Sequence, residues 1–205
     1  MSSAVFFTAL STEKAAVRLG APKARVVRFG MGAKAAKAAA ENAALQFAGS
    51  FVVVVGFSGA LTDDLRPGDL VVASSLSSVG DDETFPVSSA VQAVDVLSTA
   101  GIDVRFAPIV TAPRLVSGRE AREKAAAGGA VAVDLESRWF APLESTRNLI
   151  VIRAIVDVPG KEIRSLSTPL AALRAGGLLA RAARVIDREI ANFDNRTRSE
   201  QAGDS

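Results

Sequence analysis

The order of apolar runs along the 205-residue chain predicts one α/β domain, with a central, largely parallel (mixed) sheet flanked by helices. Three observations predict it. Strand-like apolar runs alternate with helix-like segments from the first residues onward. Two of the runs, Phe51 to Val55 and Leu149 to Val156, are apolar with little or no alternation, as strands covered on both faces are. Hydrophobic residues make up 49% of the chain, enough for a real core, yet none of their runs approaches the ~20 residues a membrane span needs.

In chain order, Ala4 to Leu10 is a first short apolar run. Ser11 is placed to cap a helix from Thr12 to Leu19, which Gly20, Ala21 and Pro22 stop. Arg25 to Phe29 reads as a strand, Gly30-Met31-Gly32 as a tight turn and Ala33 to Ala48 as an alanine-rich helix. The strand Phe51 to Val55 runs into a glycine-punctuated stretch, Gly56 to Leu61, read as a loop. Arg66-Pro67-Gly68-Asp69 forms a turn before a strand Leu70 to Ala73. Pro86 stands near the start of a helix whose stripe is Val87, Val91, Val94 and Leu97, ended by Gly101. Val104 to Val110 is a strand, Gly118 to Ala127 a polar helix closed by Gly128-Gly129, and Ala130 to Leu135 a strand. After Leu149 to Val156, a long helix fills Pro169 to Phe193, with Leu179, Ala182, Ile186, Ile190 and Phe193 on one side. Arg174, Arg181, Arg184 and Arg188 make its solvated face. The domain is expected to span residues 1–193, and the polar residues 194–205 to be a disordered tail.

The absences narrow the chemistry. Without cysteine there is no disulfide framework, no thiol nucleophile and no thiolate zinc site. Without histidine there is no Ser-His-Asp triad and no imidazole base, so proton transfer near neutral pH falls to carboxylates, lysine, water or the substrate. A net charge of +2, with no basic patch interleaved by aromatics, predicts no nucleic-acid partner. The start, MSSAVFFTAL, has no positive region before its apolar stretch, so no secretory leader is expected there and the protein is read as cytoplasmic.

In an α/β fold the active site lies at the carboxyl ends of the strands. Gly30-Met31-Gly32-Ala33-Lys34-Ala35 fits the loose dinucleotide pattern G-x-G-x-x-A, but the next strand ends in Gly56-Phe57-Ser58 without the carboxylate that would hold a ribose. There remain Glu13, Glu136 and Asp157, each just beyond a strand. Each has a bland reading beside the functional one. Glu13 suits the macrodipole of a helix's first turn, Glu136 could be an exposed first-turn charge, and Asp157 could serve a Pro-Gly turn.

Val53 to Leu61, with Leu65-Arg66-Pro67-Gly68-Asp69-Leu70-Val71-Val72, resembles the strand–loop–strand signature of the nucleoside phosphorylase superfamily. Ala132-Val133-Asp134-Leu135-Glu136-Ser137 resembles its acidic (E/D)-M-E-(A/S) segment, and Arg153-Ala154-Ile155-Val156-Asp157 its R-A-I-S-D segment. The three occur in the family's order, and Thr8-Ala9-Leu10 with Glu13 also fits. The branch most resembled is that of the methylthioadenosine/S-adenosylhomocysteine nucleosidases, including the shorter hopanoid-associated members.

That resemblance implies cleavage of the N-glycosidic bond of an adenine-type purine nucleoside, 5′-substituted in some branches. It assigns Asp157 to protonate N7 of the leaving base and Glu13 to activate the attacking water. Glu136 would hold the ribose hydroxyls, Ser58 and Gly59 would lie along the nucleoside, and Leu115 with Val116 would flank the base. Leu135 takes the place of the family's methionine, and Gly32 closes the substrate-binding set. Such cleavage passes through an oxocarbenium-like state that needs carboxylates and a protonated leaving base. It needs no metal and no cofactor, phosphate being a co-substrate if the enzyme is a phosphorylase. For Asp157 to donate a proton, apolar surroundings are expected to raise its pKa. The Gly-Asp-Pro-x-Arg phosphate segment of hexameric phosphorylases is missing, and a carboxylate beside the nucleophile repels phosphate, so hydrolysis is expected. Arg28, Lys34 and Arg114 remain as cations that could reach a phosphate. A non-catalytic nucleoside-binding protein of the same fold is the alternative from another class. The expected partners are a small nucleoside and, because relatives are dimers or larger, further copies of the chain.

Overall fold

A computed structural model describes the backbone of residues 3–146, 149–159 and 169–203, and the side chains of those residues except 145–146, 169–172 and 191–203. Strands β1 (Ala4–Thr8), β2 (Arg25–Arg28), β3 (Phe51–Ala60), β4 (Leu70–Ser78), β5 (Thr84–Pro86), β6 (Val104–Thr111), β7 (Ala132–Asp134) and β8 (Leu149–Asp157) form one mixed sheet. β3 pairs with β8, β8 with β4, β4 with β6, β6 with β7, and β7 again with β3, so these five strands close on themselves. β1 and β2 extend the sheet beyond β3, and β5 extends it beyond β4. The pairs β3–β7, β4–β5 and β4–β8 are antiparallel and the others parallel. Helices α1 (Ser11–Gly20), α2 (Ala33–Gln46), α3 (Ala90–Thr99), α4 (Arg119–Ala126) and α5 (Pro169–Gly203) surround it, with a 3-10 segment at Ser137–Thr146.

The apolar runs sit where covered strands should. Phe51 to Val55 and Leu149 to Val156 are buried throughout. Phe7 packs edge-on against Phe47 and Phe140, with ring centroids 6.0 and 5.6 Å apart, tying β1 to α2 and the 3-10 segment. α1 crosses α5 closely: a Cβ added at Gly20 would lie 1.8 Å from the Ala180 carbonyl oxygen, so only glycine fits. On α5, Leu179, Ala182, Ile186 and Ile190 are buried and the four arginines exposed, as the stripe predicts. Phe193 lies outside the described side chains.

Several expectations are corrected. Gly56 to Ala60 is strand rather than loop; its glycines mark close approach of neighbouring side chains, a second meaning of glycine in a strand. Ser11 is the first helical residue instead of the cap, and Glu13 accepts from the amides of Ala9 and Leu10 just before the helix. Pro86 ends β5, and α3 starts later and buries Ala90, Ala93, Val96 and Leu97, leaving Val91 exposed. Val87 and Leu97 of the expected stripe are buried and Val94 packs against the core, while the alanines let the helix lie close to the sheet. α5 runs to Gly203, ten residues past the point where polarity suggested a tail. The short strand β5 and the 3-10 segment have no counterpart in the apolar pattern.

Candidate active site

The carboxyl ends of β1, β3, β7 and β8 converge on one cavity. Glu13, Ser58, Gly59, Leu115, Val116, Leu135, Glu136 and Asp157, all expected from the sequence, line it. Gly32 does not; its amide instead donates to Glu136 Oε1 at 3.0 Å, fixing that carboxylate from the turn before α2. Its φ of 87° is one that glycine adopts without strain, so the turn can aim this amide. Ala9, Leu10, Met31, Phe57, Val133, Asp134 and Val156 complete the lining.

Glu13 is not an ordinary first-turn charge. It is buried, and its Oε2 accepts from the amides of Ala9 (2.9 Å) and Leu10 (2.8 Å) while Oε1 accepts from Phe57 (2.8 Å). Burial pushes its pKa up, against the pull of the nearby Arg153 charge and these backbone bonds. Glu136 is raised for the same first reason, opposed by Arg153 and reinforced by the charges of Asp134 and Glu13. Carboxyls whose proton affinity is raised by burial are suited to accept a proton near neutral pH.

Arg153 organises these acids. It interrupts the apolar β8, is fully buried, and its Nη2 lies 2.7 Å from Asp134 Oδ2 and 3.9 Å from Glu136 Oε2. Ser137 Oγ accepts from its Nε (3.1 Å) and Nη2 (2.8 Å) and donates to Asp134 Oδ2. Burial works against the arginine's charge, but Asp134, Glu136 and Glu13 together outweigh it and push its pKa above the ordinary value. Asp134 Oδ1 also accepts from Thr111 Oγ1 (2.7 Å) and the amides of Glu136 and Ser137 (both 3.2 Å). Gly56 makes room for this cluster, since a Cβ there would meet Arg153 Nη1 at 2.1 Å and Glu13 Oε1 at 2.7 Å.

At the far end of β8 the register skips from Ser58–Ile155 to Gly59–Asp157, so β8 carries one extra residue. Such a bulge re-aims the side chain that follows it. Asp157 lies against Gly59, where a Cβ would come within 2.4 Å of Oδ1, and its Oδ2 accepts from Arg122 Nη2 at 2.8 Å. The apolar surroundings expected for Asp157 are thus corrected: a buried guanidinium from α4 sits beside it. Ser58 Oγ is buried and has no hydrogen-bond partner among the described residues, leaving it for a bound molecule. Leu115 and Met31 are the exposed apolar residues of the cavity wall. Arg28, Lys34 and Arg114, the cations that could have reached a phosphate, do not line the cavity.

Sequence reasoning used Arg153 only as a motif letter and missed Arg122. A charge in the middle of a fully apolar strand was a readable signal for Arg153. Arg122 stands among other charges in Arg119-Glu120-Ala121-Arg122-Glu123-Lys124, where nothing distinguishes it from a solvated neighbour. Among the described residues no group of acids or other ligating side chains could hold a metal ion, and no helix is long and apolar enough to cross a membrane.

Carboxylates gathered at strand ends around one cavity, with no histidine or cysteine in the chain, mark an α/β protein whose site works with carboxyl groups. The sequence model described as the phosphorylase superfamily matches residues 11–184, and the chain belongs to that family of nucleosidases and nucleoside phosphorylases. No curated protein sequence matches it. Among solved structures, the methylthioadenosine/S-adenosylhomocysteine nucleosidase of Campylobacter jejuni is similar with a TM-score of 0.74 at 14% identity, over 96% of this chain and 100% of that one. The Neisseria meningitidis nucleosidase of the same name, in complex with methylthio-immucillin-A, gives 0.74 at 19% identity, over 90% and 99%. A futalosine hydrolase mutant of Helicobacter pylori gives 0.72 at 16% identity, over 96% and 100%. These likenesses establish the fold over nearly the whole chain.

Proposed function

We propose that the protein hydrolyses the N-glycosidic bond of an adenine-type purine nucleoside and releases the free base. The observation that carries this reading is the convergence of Glu13, Glu136 and Asp157 on one cavity. Glu136 takes hydrogen bonds from the ribose hydroxyls, oriented by Gly32 and Arg153. Water, its proton accepted by Glu13, attacks C1′ as the C1′–N9 bond breaks and its electron pair moves into the purine. Asp157 delivers its proton to N7, so the base leaves neutral. The chemistry calls for no metal and no organic cofactor.

Water is favoured over phosphate by charge. Four carboxyl side chains, Glu13, Asp134, Glu136 and Asp157, line the cavity, and the guanidinium groups nearby are already bonded to two of them. A phosphate dianion would meet repulsion there. Met31 and Leu115 give the wall exposed apolar surface, which favours a nucleoside carrying an apolar 5′ substituent.

The test is chromatography of free base released from adenosine, inosine, methylthioadenosine and S-adenosylhomocysteine, each with and without phosphate. Adenine release without phosphate is the expected result. Release only with phosphate would make the enzyme a phosphorylase. No release from wild-type protein that binds these nucleosides would favour the non-catalytic alternative.

A further inference from the structure

We propose that Arg122 is a positioning residue for Asp157: it fixes the carboxylate through Oδ2 and stabilises the negative charge that forms there when the proton leaves. This rests on the assignment of Asp157 as the proton donor. The helix that carries Arg122 lies outside the three motifs of the sequence, and Arg122 itself does not line the cavity.

The geometry is that of a clamp. Arg122 Nη2 donates to Asp157 Oδ2 at 2.8 Å, and Nη1 donates to the carbonyl oxygen of Ala60, the last residue of β3. The guanidinium is thereby held to two neighbouring strands, β3 and β8, with 3% of its side chain exposed against 17% for Asp157. Asp157 Oδ1 sits against Gly59, a cavity-lining residue. Oδ2 is therefore held by the clamp, and Oδ1 stands at the wall where a base would lie.

The chemical consequence follows from the balance of the step. Before the reaction the proton is on Asp157; afterwards it is on N7, the C1′–N9 pair is on the purine, and Asp157 is a carboxylate. A cation bonded to that carboxylate makes Asp157 a stronger acid, and it does so at the moment the leaving group needs the proton. The cost is a smaller protonated fraction as pH rises. Among the described residues the other charged groups around the cavity are Glu13 from α1, Asp134 and Glu136 at the end of β7, and Arg153 from β8. Of these the arginine is bonded into the Asp134 cluster, while Arg122 is bonded to Asp157 itself.

The experiment compares wild type with Arg122→Gln, Arg122→Met and Arg122→Lys, two neutral replacements guarding against one that fails to fold. The readouts are kcat and KM for base release across pH, and titration of the Asp157 side-chain carboxyl by carbon-13 NMR. In the neutral variants kcat on the acidic plateau should fall tenfold or more, with KM changed less. Their alkaline limb should move to higher pH, by about one to three units. Arg122→Lys keeps the charge without the fork, so its limb should stay in place while kcat falls less. Neutral variants that fold but leave both the limb and the Asp157 titration unmoved overturn the proposal. If wild type releases no base, the proposed function fails, while the NMR comparison still decides whether Arg122 governs the proton on Asp157.

Discussion

β8 carries an arginine near its middle and an aspartate at its end, and each is half of a buried ion pair with a different purpose. Arg153 and Asp134 sit in a closed cluster in which Ser137, Thr111 and two amides satisfy the remaining lone pairs. Arg122 and Asp157 form a pair open on one side to the cavity. Burying charges is expensive unless every lone pair and proton is used. In the closed cluster both Asp134 oxygens are taken up, and it serves as a rigid mount for Glu136. The open pair faces the cavity, and its aspartate is placed by a bulge that the closed part of the strand lacks.

Removing the cation of the closed cluster should have the largest effect. Arg153→Met strands Asp134 and Glu136 without their counter-charge, and breaking such a buried pair costs about 3–5 kcal/mol. Urea unfolding should show that loss, or no folded protein at all; a stability within about 1 kcal/mol of wild type would mean that the cluster is not the mount described. Asp157→Asn should do the opposite. It keeps the shape, so binding of a nucleoside measured by calorimetry should survive while base release falls by about 10²–10⁴. Unchanged turnover would show that another group is the acid.

The same substitution at two glycines of β3 sharpens the contrast. Gly56→Ala drives a methyl into Arg153 Nη1 and Glu13, groups with no room to move, and should cost about 1–3 kcal/mol of stability. Gly59→Ala meets Asp157 Oδ1, on a side chain with access to solvent, and should spare stability more than it spares kcat. Thermal melts and base-release kinetics on both proteins check this. Equal losses in both quantities at both positions would erase the distinction.

How much of this was readable in the sequence differs between the two regions for physical reasons. β1, β7 and β8 read as apolar runs, and the rule that active sites gather at strand ends points to the carboxylates there, Glu13 after β1, Glu136 after β7 and Asp157 at the end of β8. Gly56 to Ala60 reads as a loop because glycine signals both a turn and a close approach, and only the neighbours, Arg153 and Asp157, decide between them. On α3 the larger residues Val94 and Leu97 do face the core, but Val91 does not, and the buried alanines beside them carry no apolar signal strong enough to show it. The closed cluster could have been suspected from an arginine inside a buried strand. The open pair could not: Arg122 comes from a helix whose sequence is charged nearly throughout, and its partner lies 35 residues away across the fold.

The smallest effect concerns pH. Burial raises the pKa of Glu136 in the folded protein above its unfolded value, so the native state holds this proton more tightly. Its contribution favours folding below the unfolded carboxyl pKa, near 4.5, and turns unfavourable as pH rises from there through the folded value. Glu136→Gln removes the titrating group but keeps an oxygen for the Gly32 amide. The stability of the variant relative to wild type, from urea unfolding at stepped pH, should therefore rise as pH climbs above the unfolded value and level off once the folded group has lost its proton. A difference that falls with pH would mean that the attraction of Arg153 outweighs burial at Glu136. The closed cluster would then hold its carboxylates charged throughout, and the raised proton affinity would belong to Glu13 alone.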